Sequence, residues 1–414
     1  MTDRIVIVGG GLAAATAATE LRRRGFAGSI RLLAAEPHAP YIRPPLSKGY
    51  LQGSEERSAA FVHPDDWYGE HEVELSTSAR VESIDRASAE VTLADGEAVP
   101  YDRLLLATGA EPRRLSIPGA DARGIHSLRT LENSEELRDA LAAGSKRVAL
   151  VGAGWIGLEV AAAARSYGND VVVIGREKIP LKGPLGDELG LVFQRLHESH
   201  GVRFELGTGA SAFRVDDGRV TGVQLIGHGD GGGDPRTVDA DLVVVGAGAI
   251  PSTELATAAG LTVDNGIQVD ASLRTSDERI FAAGDVANAW HPVLKAYLRN
   301  EHWATAKASG KVAAASLMGE QAQLDAIPYF YTDQFELGME YSGYGPLAAN
   351  ARVVFRGDPA SLEFIAFWIA DGRVVAGMNV NVWDVNDRVQ DLIRSGRQVD
   401  LDRLTDLSIE LAEV

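Results

Sequence analysis

The sequence predicts an α/β chain in which a doubly wound unit occurs twice, one copy nested within the other, followed by a smaller α+β domain. Three observations predict it. A strand, glycine turn, helix, strand pattern spans residues 4–36, the same pattern recurs at 147–176, and the composition shifts from Ile327 onward to aromatics and short alternating strands. At 414 residues and 45% hydrophobic content the chain exceeds a single core, since cores stop growing at roughly 250–300 residues. The expected segments are 1–110 with 243–325, then 111–242, then 326–414.

Residues 4–8 (RIVIV) form a continuous apolar run ending in Gly9-Gly10-Gly11, and an Ala-rich helix follows as far as Gly25, a helix terminator. A second strand, Ile30 to Ala34, leads to Glu36. Glu90 to Leu93 and Tyr101 to Ala107 flank an Asp95-Gly96 turn and read as a hairpin that brings the chain back at Ala107-Thr108-Gly109. Arg147 to Val151, the turn Gly152 to Gly157, a helix over Leu158 to Tyr167 and a strand over Asp170 to Ile174 repeat the first unit. Arg203 to Phe213, Val220 to Leu225, Val238 and Ala240 to Gly246 read as strands, with the glycine-rich stretch Gly227 to Pro235 as a flexible loop. Arg279 to Asp285 (RIFAAGD) reads as a buried strand ending in an acid. A helical pattern follows from Ala296 to Met318, and strands over Phe364 to Ala370 and Arg373 to Met378.

The glycine turns give both units a ligand class. Gly9, Gly11 and Ala14 match G-x-G-x-x-A, and Gly152, Gly154 and Gly157 match G-x-G-x-x-G. The first glycine permits the tight turn, the second lets backbone approach a pyrophosphate, and the small third residue lets helix pack on strand, so both units are Rossmann-like dinucleotide-binding folds. Helix-start amides then face the diphosphate. Glu36 can accept hydrogen bonds from ribose hydroxyls. At the second site Gly175-Arg176 stand where that acid is expected, and a glycine beside an arginine admits a 2′-phosphate, which leans toward NADPH while leaving NADH open. Asp285, placed near the first turn with Ala107-Thr108-Gly109, suits a ribityl hydroxyl and makes the first site a FAD site.

Composition excludes much else. Zero cysteines rule out disulfides, thiolate metal sites, iron–sulfur ligation and C-x-x-C redox chemistry within this chain, and no metal centre is expected. A net charge of −18 argues against general binding to nucleic acid or anionic membrane. The opening MTDRIVIVGGGL lacks a basic region followed by an apolar core and a cleavage site, and a cytoplasmic protein is expected.

The phrases PYIRPPLSKGYLQG (40–53), YDRLLLATGAEPR (101–113), GAGWIGLEVAA (152–162), LVVVGAGAIPSTELATAAGL (242–261), FAAGDVAN (281–288) and YFYTDQFELGMEYSGYG (329–345) resemble the oxygenase-coupled FAD-dependent ferredoxin reductases. RPPLSK and YFYTDQ are the specific ones. The resemblance covers nearly the whole chain and implies a glutathione-reductase-like architecture. It implies that Arg43 and Lys48 lie along the flavin, that Glu159 pairs with the lysine and contacts the nicotinamide, and that Trp155 lies beside it. It further implies that Arg129 holds the FAD phosphates and that Trp303 covers the pyrimidine side. Ile42 departs from the acidic or polar residue usual before RPPLSK, and Gly175-Arg176 from the usual acid.

The function expected is transfer of a hydride from a nicotinamide, stacked at Trp155, Ile156 and Glu159, to FAD, which then releases electrons singly to an iron–sulfur ferredoxin feeding an oxygenase or cytochrome P450. A cation at Lys48 would stabilise the reduced ring. Disulfide reductase readings fail for want of a thiol. A cysteine-independent NAD(P)H oxidase, a monodehydroascorbate-reductase-like enzyme, and an apoptosis-inducing-factor-like interaction protein remain as alternatives. An acidic ferredoxin would meet a basic face supplied by Lys295, Arg299, Lys307 and Lys311 along the late helix, with Arg388, Arg394 and Arg397. The chain is expected to be a monomer or homodimer.

Overall fold

In the computed structural model, residues 3–226 and 236–414 are described, so the expected loop at 227–235 lies outside them. The chain divides into two compact units, one of residues 1–42, 57–111 and 250–328, the other of residues 43–56, 112–249 and 329–414. Among the described residues, no helix is long and apolar enough to cross a membrane.

The first unit is built on a five-stranded parallel sheet. Its order is Ile280–Ala282, Arg103–Leu106, Arg4–Val8, Ser29–Leu33, Val73–Ser76. Arg4–Val8 is central, which explains why it reads as a continuous apolar run: Ile5, Val6, Ile7 and Val8 are all buried, as parallel strands covered on both faces must be. The helix Leu12–Arg23 covers this sheet with an alanine-rich face. It meets Trp303–Leu317 closely enough that a Cβ on Gly310 would stand 2.7 Å from the Ala13 carbonyl oxygen. A small antiparallel sheet, Val81–Asp85, Glu90–Leu93 and Ala98–Pro100, completes the unit with other short pieces.

Two expectations are corrected here. The hairpin partner of Glu90–Leu93 across Asp95-Gly96 is Ala98–Pro100, while Arg103–Leu106 belongs to the parallel sheet. Arg4 Nη2 donates to Asp102 Oδ1 at 2.9 Å and Asp102 N donates to the Arg4 carbonyl, which redirects the chain at that point. The helical pattern over Ala296 to Met318 divides as well. Ala296–Leu298 is a strand paired with Ala287–His291, and Asn300 Oδ1 accepts from His302 N, so the helix starts only at Trp303.

The second unit repeats the parallel sheet in the order Arg203–Leu206, Asp170–Gly175, Arg147–Val151, Leu242–Val245, Ile125–His126. The helix Trp155–Ser166 begins one residue after Gly154, three residues earlier than expected. Arg203 to Phe213 is two strands in two sheets, because Gly207 turns at φ +72 before Ala210–Asp216 enters an antiparallel sheet with Arg219–Leu225 and Thr237–Asp239. The same unit holds an antiparallel five-stranded sheet, Tyr329–Gln334, Leu337–Gly343, Arg373–Val380, Glu363–Ala370, Arg352–Asp358. The helix Asn386–Ser395 turns Val389, Leu392 and Ile393 inward.

Candidate active site

In the first unit the glycine turn does what its pattern requires. Gly9 has φ +132, and a Cβ there would stand 2.1 Å from the Ala107 carbonyl oxygen, so only glycine fits. A Cβ on Gly11 would meet nothing within 4 Å, which leaves its backbone open to approach. Ala14 is fully buried at the third position. Gly11 caps the helix with no side-chain acceptor, so the first-turn amides keep their donors for an anion. Glu36 follows the next strand and accepts from the Tyr41 hydroxyl.

The parallel pairing of Ile280–Ala282 with Arg103–Leu106 carries Ala283 to Asp285 to this turn. Gly284, at φ +75, comes so close that a Cβ would meet Ala13 Cβ at 3.0 Å, which sets Asp285 beside the start of the first helix. Ala107 N bonds the Val8 carbonyl and Thr108 Oγ1 donates to the Ser252 carbonyl at 2.7 Å, so residues 107–109 are fixed against the same turn. An open glycine backbone, free helix-start amides and two acids at strand ends fit a dinucleotide. Trp303 stands at the first position of its helix with Lys307 Nζ 4.4 Å from its ring centroid.

In the second unit Gly152 has φ +128 and its Cβ would meet the Gly246 carbonyl oxygen at 2.2 Å; a Cβ on Gly154 would meet nothing within 4 Å; and one on Gly157 would meet the Gly152 carbonyl oxygen at 2.1 Å. Both turns therefore tie their first glycine in the same way, Gly9 N to the Leu33 carbonyl and Gly152 N to the Ile174 carbonyl. Since Val8 pairs with Leu33 as Val151 pairs with Ile174, Glu177 lies three residues past Ile174 as Glu36 lies three past Leu33. An acid thus stands beyond Gly175-Arg176 that counting to the strand end overlooks. Arg176 is exposed, its Nε 3.4 Å from where a Cβ on Gly209 would stand.

RPPLSK forms a short turn over Pro44–Ser47 and a helical turn over Gly49–Gln52, with Lys48 between them. Lys48 Nζ is paired with Glu159 Oε1, and both side chains are shielded, 15% and 7% exposed. Ser47 Oγ donates to the other carboxylate oxygen, and Thr332 Oγ1 donates to Oε1 at 2.6 Å. A buried carboxylate is tolerated only when paired and hydrogen-bonded in this way. Tyr331 lies 5.7 Å from Lys48 Nζ by its ring centroid, and burial raises its phenol. Burial also raises the Asp333 carboxyl, Lys48 opposing and Glu159 adding. Trp155 packs edge-on against Phe330 at 4.9 Å, whereas Ile156 beside it is 49% exposed. Arg43 donates to the carbonyl of Arg129, which brings those two arginines together.

The predicted residues thus fall into two groups. Gly9, Gly11, Ala14, Glu36, Ala107, Thr108, Gly109, Asp285 and Trp303 lie in the first unit. Arg43, Lys48, Arg129, Gly152, Gly154, Trp155, Ile156, Gly157, Glu159 and Arg176 lie in the second. Ser47 and Thr332 were not anticipated, although each sits inside a phrase singled out as specific. The expected basic stripe is corrected: Lys295 and Arg299 precede the helix, and Arg299, 13% exposed, is paired with Glu301 at 2.7 Å. Arg388 faces Asp391 at 3.5 Å, and Arg397 donates to the Val414 carbonyl.

Comparison with known proteins gives the family and the overall fold. Residues 3–310 match the pyridine nucleotide-disulphide oxidoreductase model and residues 329–414 the reductase C-terminal model. The chain is 43% identical to a probable ferredoxin reductase of Castellaniella defragrans, over 90% of this chain and 89% of that one. It is 39% identical to the ferredoxin–NAD(+) reductase component of the anthranilate 1,2-dioxygenase system of Burkholderia cepacia, over 99% and 98%. Among solved structures, the covalent putidaredoxin reductase–putidaredoxin complex matches with a TM-score of 0.94 at 34% identity, covering 99% of this chain and 97% of that one.

Proposed function

Because this chain belongs to the pyridine nucleotide-disulphide oxidoreductase family, in its ferredoxin-reductase branch, we propose that it passes electrons from NAD(P)H by way of FAD to an iron–sulfur ferredoxin that feeds an oxygenase or cytochrome P450. The observation that carries this reading is the shielded Lys48–Glu159 pair in a chain without a single cysteine. No thiol can take the electrons, which removes the disulfide-reductase routes, and ferredoxin reductases among the similar proteins favour an iron–sulfur partner as the acceptor.

When bound, FAD supplies the conversion between a two-electron donor and a one-electron acceptor. Gly9, Gly11 and the amides that follow hold its pyrophosphate, Glu36 its ribose, and Asp285 its ribityl chain. Arg43, Arg129 and Trp303 hold the rest. Lys48 provides fixed positive charge, and Glu159 keeps that charge in one place while offering its carboxylate to the nicotinamide. Trp155 and Ile156 give the nicotinamide an apolar wall. Gly152, Gly154 and Gly157 hold the nicotinamide dinucleotide, with Arg176 at its adenosine end. On this reading residues 1–110 and 243–325 carry FAD, residues 111–242 carry NAD(P)H, and residues 326–414 complete the nicotinamide side. A cytoplasmic setting and an acidic ferredoxin belong to the same proposal, with Lys307 and Lys311, one helical turn apart, among the cations that would meet it.

Anaerobic rapid mixing with NADH or NADPH tests the reading. Flavin absorbance should bleach within the mixing experiment, and Lys48→Ala should slow the bleaching without releasing FAD. An unchanged rate in that variant would remove Lys48 from its assigned role.

A further inference from the structure

Behind Glu159 runs a chain of buried polar side chains that the proposed reaction has not yet used. Thr332, Gln334 and His197 are 0%, 1% and 0% exposed. Gln334 Nε2 donates to Thr332 Oγ1 at 3.2 Å, and His197 Nε2 lies 2.8 Å from Gln334 Oε1. The directions follow from the partners. Thr332 receives from the Gln334 amide, so its own hydrogen points to Glu159. Gln334 then presents its oxygen to His197, whose proton must be on Nε2. Burial holds His197 down to about 4, so the ring is neutral and its Nδ1 is a buried acceptor with no partner.

We infer that Thr332 is a positioning residue for the nicotinamide side of the site, fixing the Glu159 carboxylate against Lys48, and that Gln334 and His197 hold Thr332 in the one orientation that allows it. This rests on the reading in which Glu159 and Lys48 serve hydride transfer. All donors of the chain point one way and end on one oxygen, Oε1, the same oxygen that Lys48 engages. Ser47 engages the other. With both oxygens tied, the carboxylate cannot rotate away from the lysine, and the lysine charge cannot wander. A valine at 332 would keep the volume and remove the donor, leaving Gln334 Nε2 and Glu159 Oε1 each short of one hydrogen bond.

The test compares Thr332→Val, Thr332→Ser and Glu159→Gln in the FAD-loaded enzyme. Anaerobic rapid mixing gives the hydride-transfer rate. Infrared spectroscopy reads the Glu159 carboxylate stretch, identified as the band lost in Glu159→Gln. Thr332→Val should slow hydride transfer roughly tenfold, as expected for one hydrogen bond to a charged group, and should shift that band. Thr332→Ser should restore both, and a purely structural role would lower the melting temperature of Thr332→Val without moving the band. If Glu159→Gln is slow while Thr332→Val keeps the wild-type rate and band, this inference falls and the underlying reading stands. If Glu159→Gln itself keeps the wild-type rate, the reading falls and the inference with it.

Discussion

Ala153 fills the space that a side chain at Gly175 would need: a Cβ built on Gly175 meets the Ala153 Cβ at 2.9 Å. In the first turn the sizes are exchanged, since a Cβ on Gly10 would meet Ala34 Cβ at 2.7 Å. Each crossing of turn and strand end holds one methyl group, and in the second unit the turn has taken it. An acid therefore cannot be introduced at 175 alone. Gly175→Glu should lose roughly 1–3 kcal/mol by overpacking, seen as a lower denaturation midpoint. Adding Ala153→Gly should recover most of that loss, because the other near neighbour, Leu206 Cδ2 at 3.0 Å, ends a flexible side chain.

Cofactor preference is expected to turn on two neighbouring residues. Arg176→Ala should raise KM for NADPH several-fold and leave NADH nearly unchanged, because only the 2′-phosphate needs a cation. Glu177→Gln should do the reverse if Glu177, at the register position of Glu36, reaches the ribose. Steady-state KM values for both nucleotides in both variants check this.

Gly9 and Gly11 of the first turn should fail in different ways. Gly9→Ala drives a methyl into the Ala107 carbonyl at a positive φ and should prevent folding of the first unit. Gly11→Ala meets no protein atom within 4 Å and should fold, while losing FAD affinity by about a hundredfold as two charge-assisted hydrogen bonds to phosphate are displaced. Calorimetry of the apoprotein and FAD titration separate the two.

His197 gives the fold a pH dependence of known sign. Its folded value of about 4 lies below the ordinary 6.5, so between those values the unfolded chain binds the extra proton. Stability is full above pH 6.5 and falls as pH drops toward 4, by about 3 kcal/mol at most from this group. His197→Gln should flatten that part of the curve of denaturation midpoint against pH relative to wild type. An identical slope in both proteins would show that the histidine titrates normally.

What could be read in the sequence was local. The runs at 4–8 and 147–151 announce themselves because central parallel strands bury both faces. The glycine positions follow from backbone geometry alone. What escaped was pairing across long separations. Thr332 reaches Glu159 across 173 residues and Gln334 reaches His197 across 137, and no periodicity records either contact. Ala296–Leu298 shows the converse failure. Its composition suits a helix, but pairing with Ala287–His291 made it a strand.

The claim that electrons leave this chain for a ferredoxin is tested most directly by cytochrome c reduction with NAD(P)H, with and without an added iron–sulfur ferredoxin from an oxygenase system. Rapid reduction only in the presence of the ferredoxin is the predicted result; equal turnover without it would contradict the account.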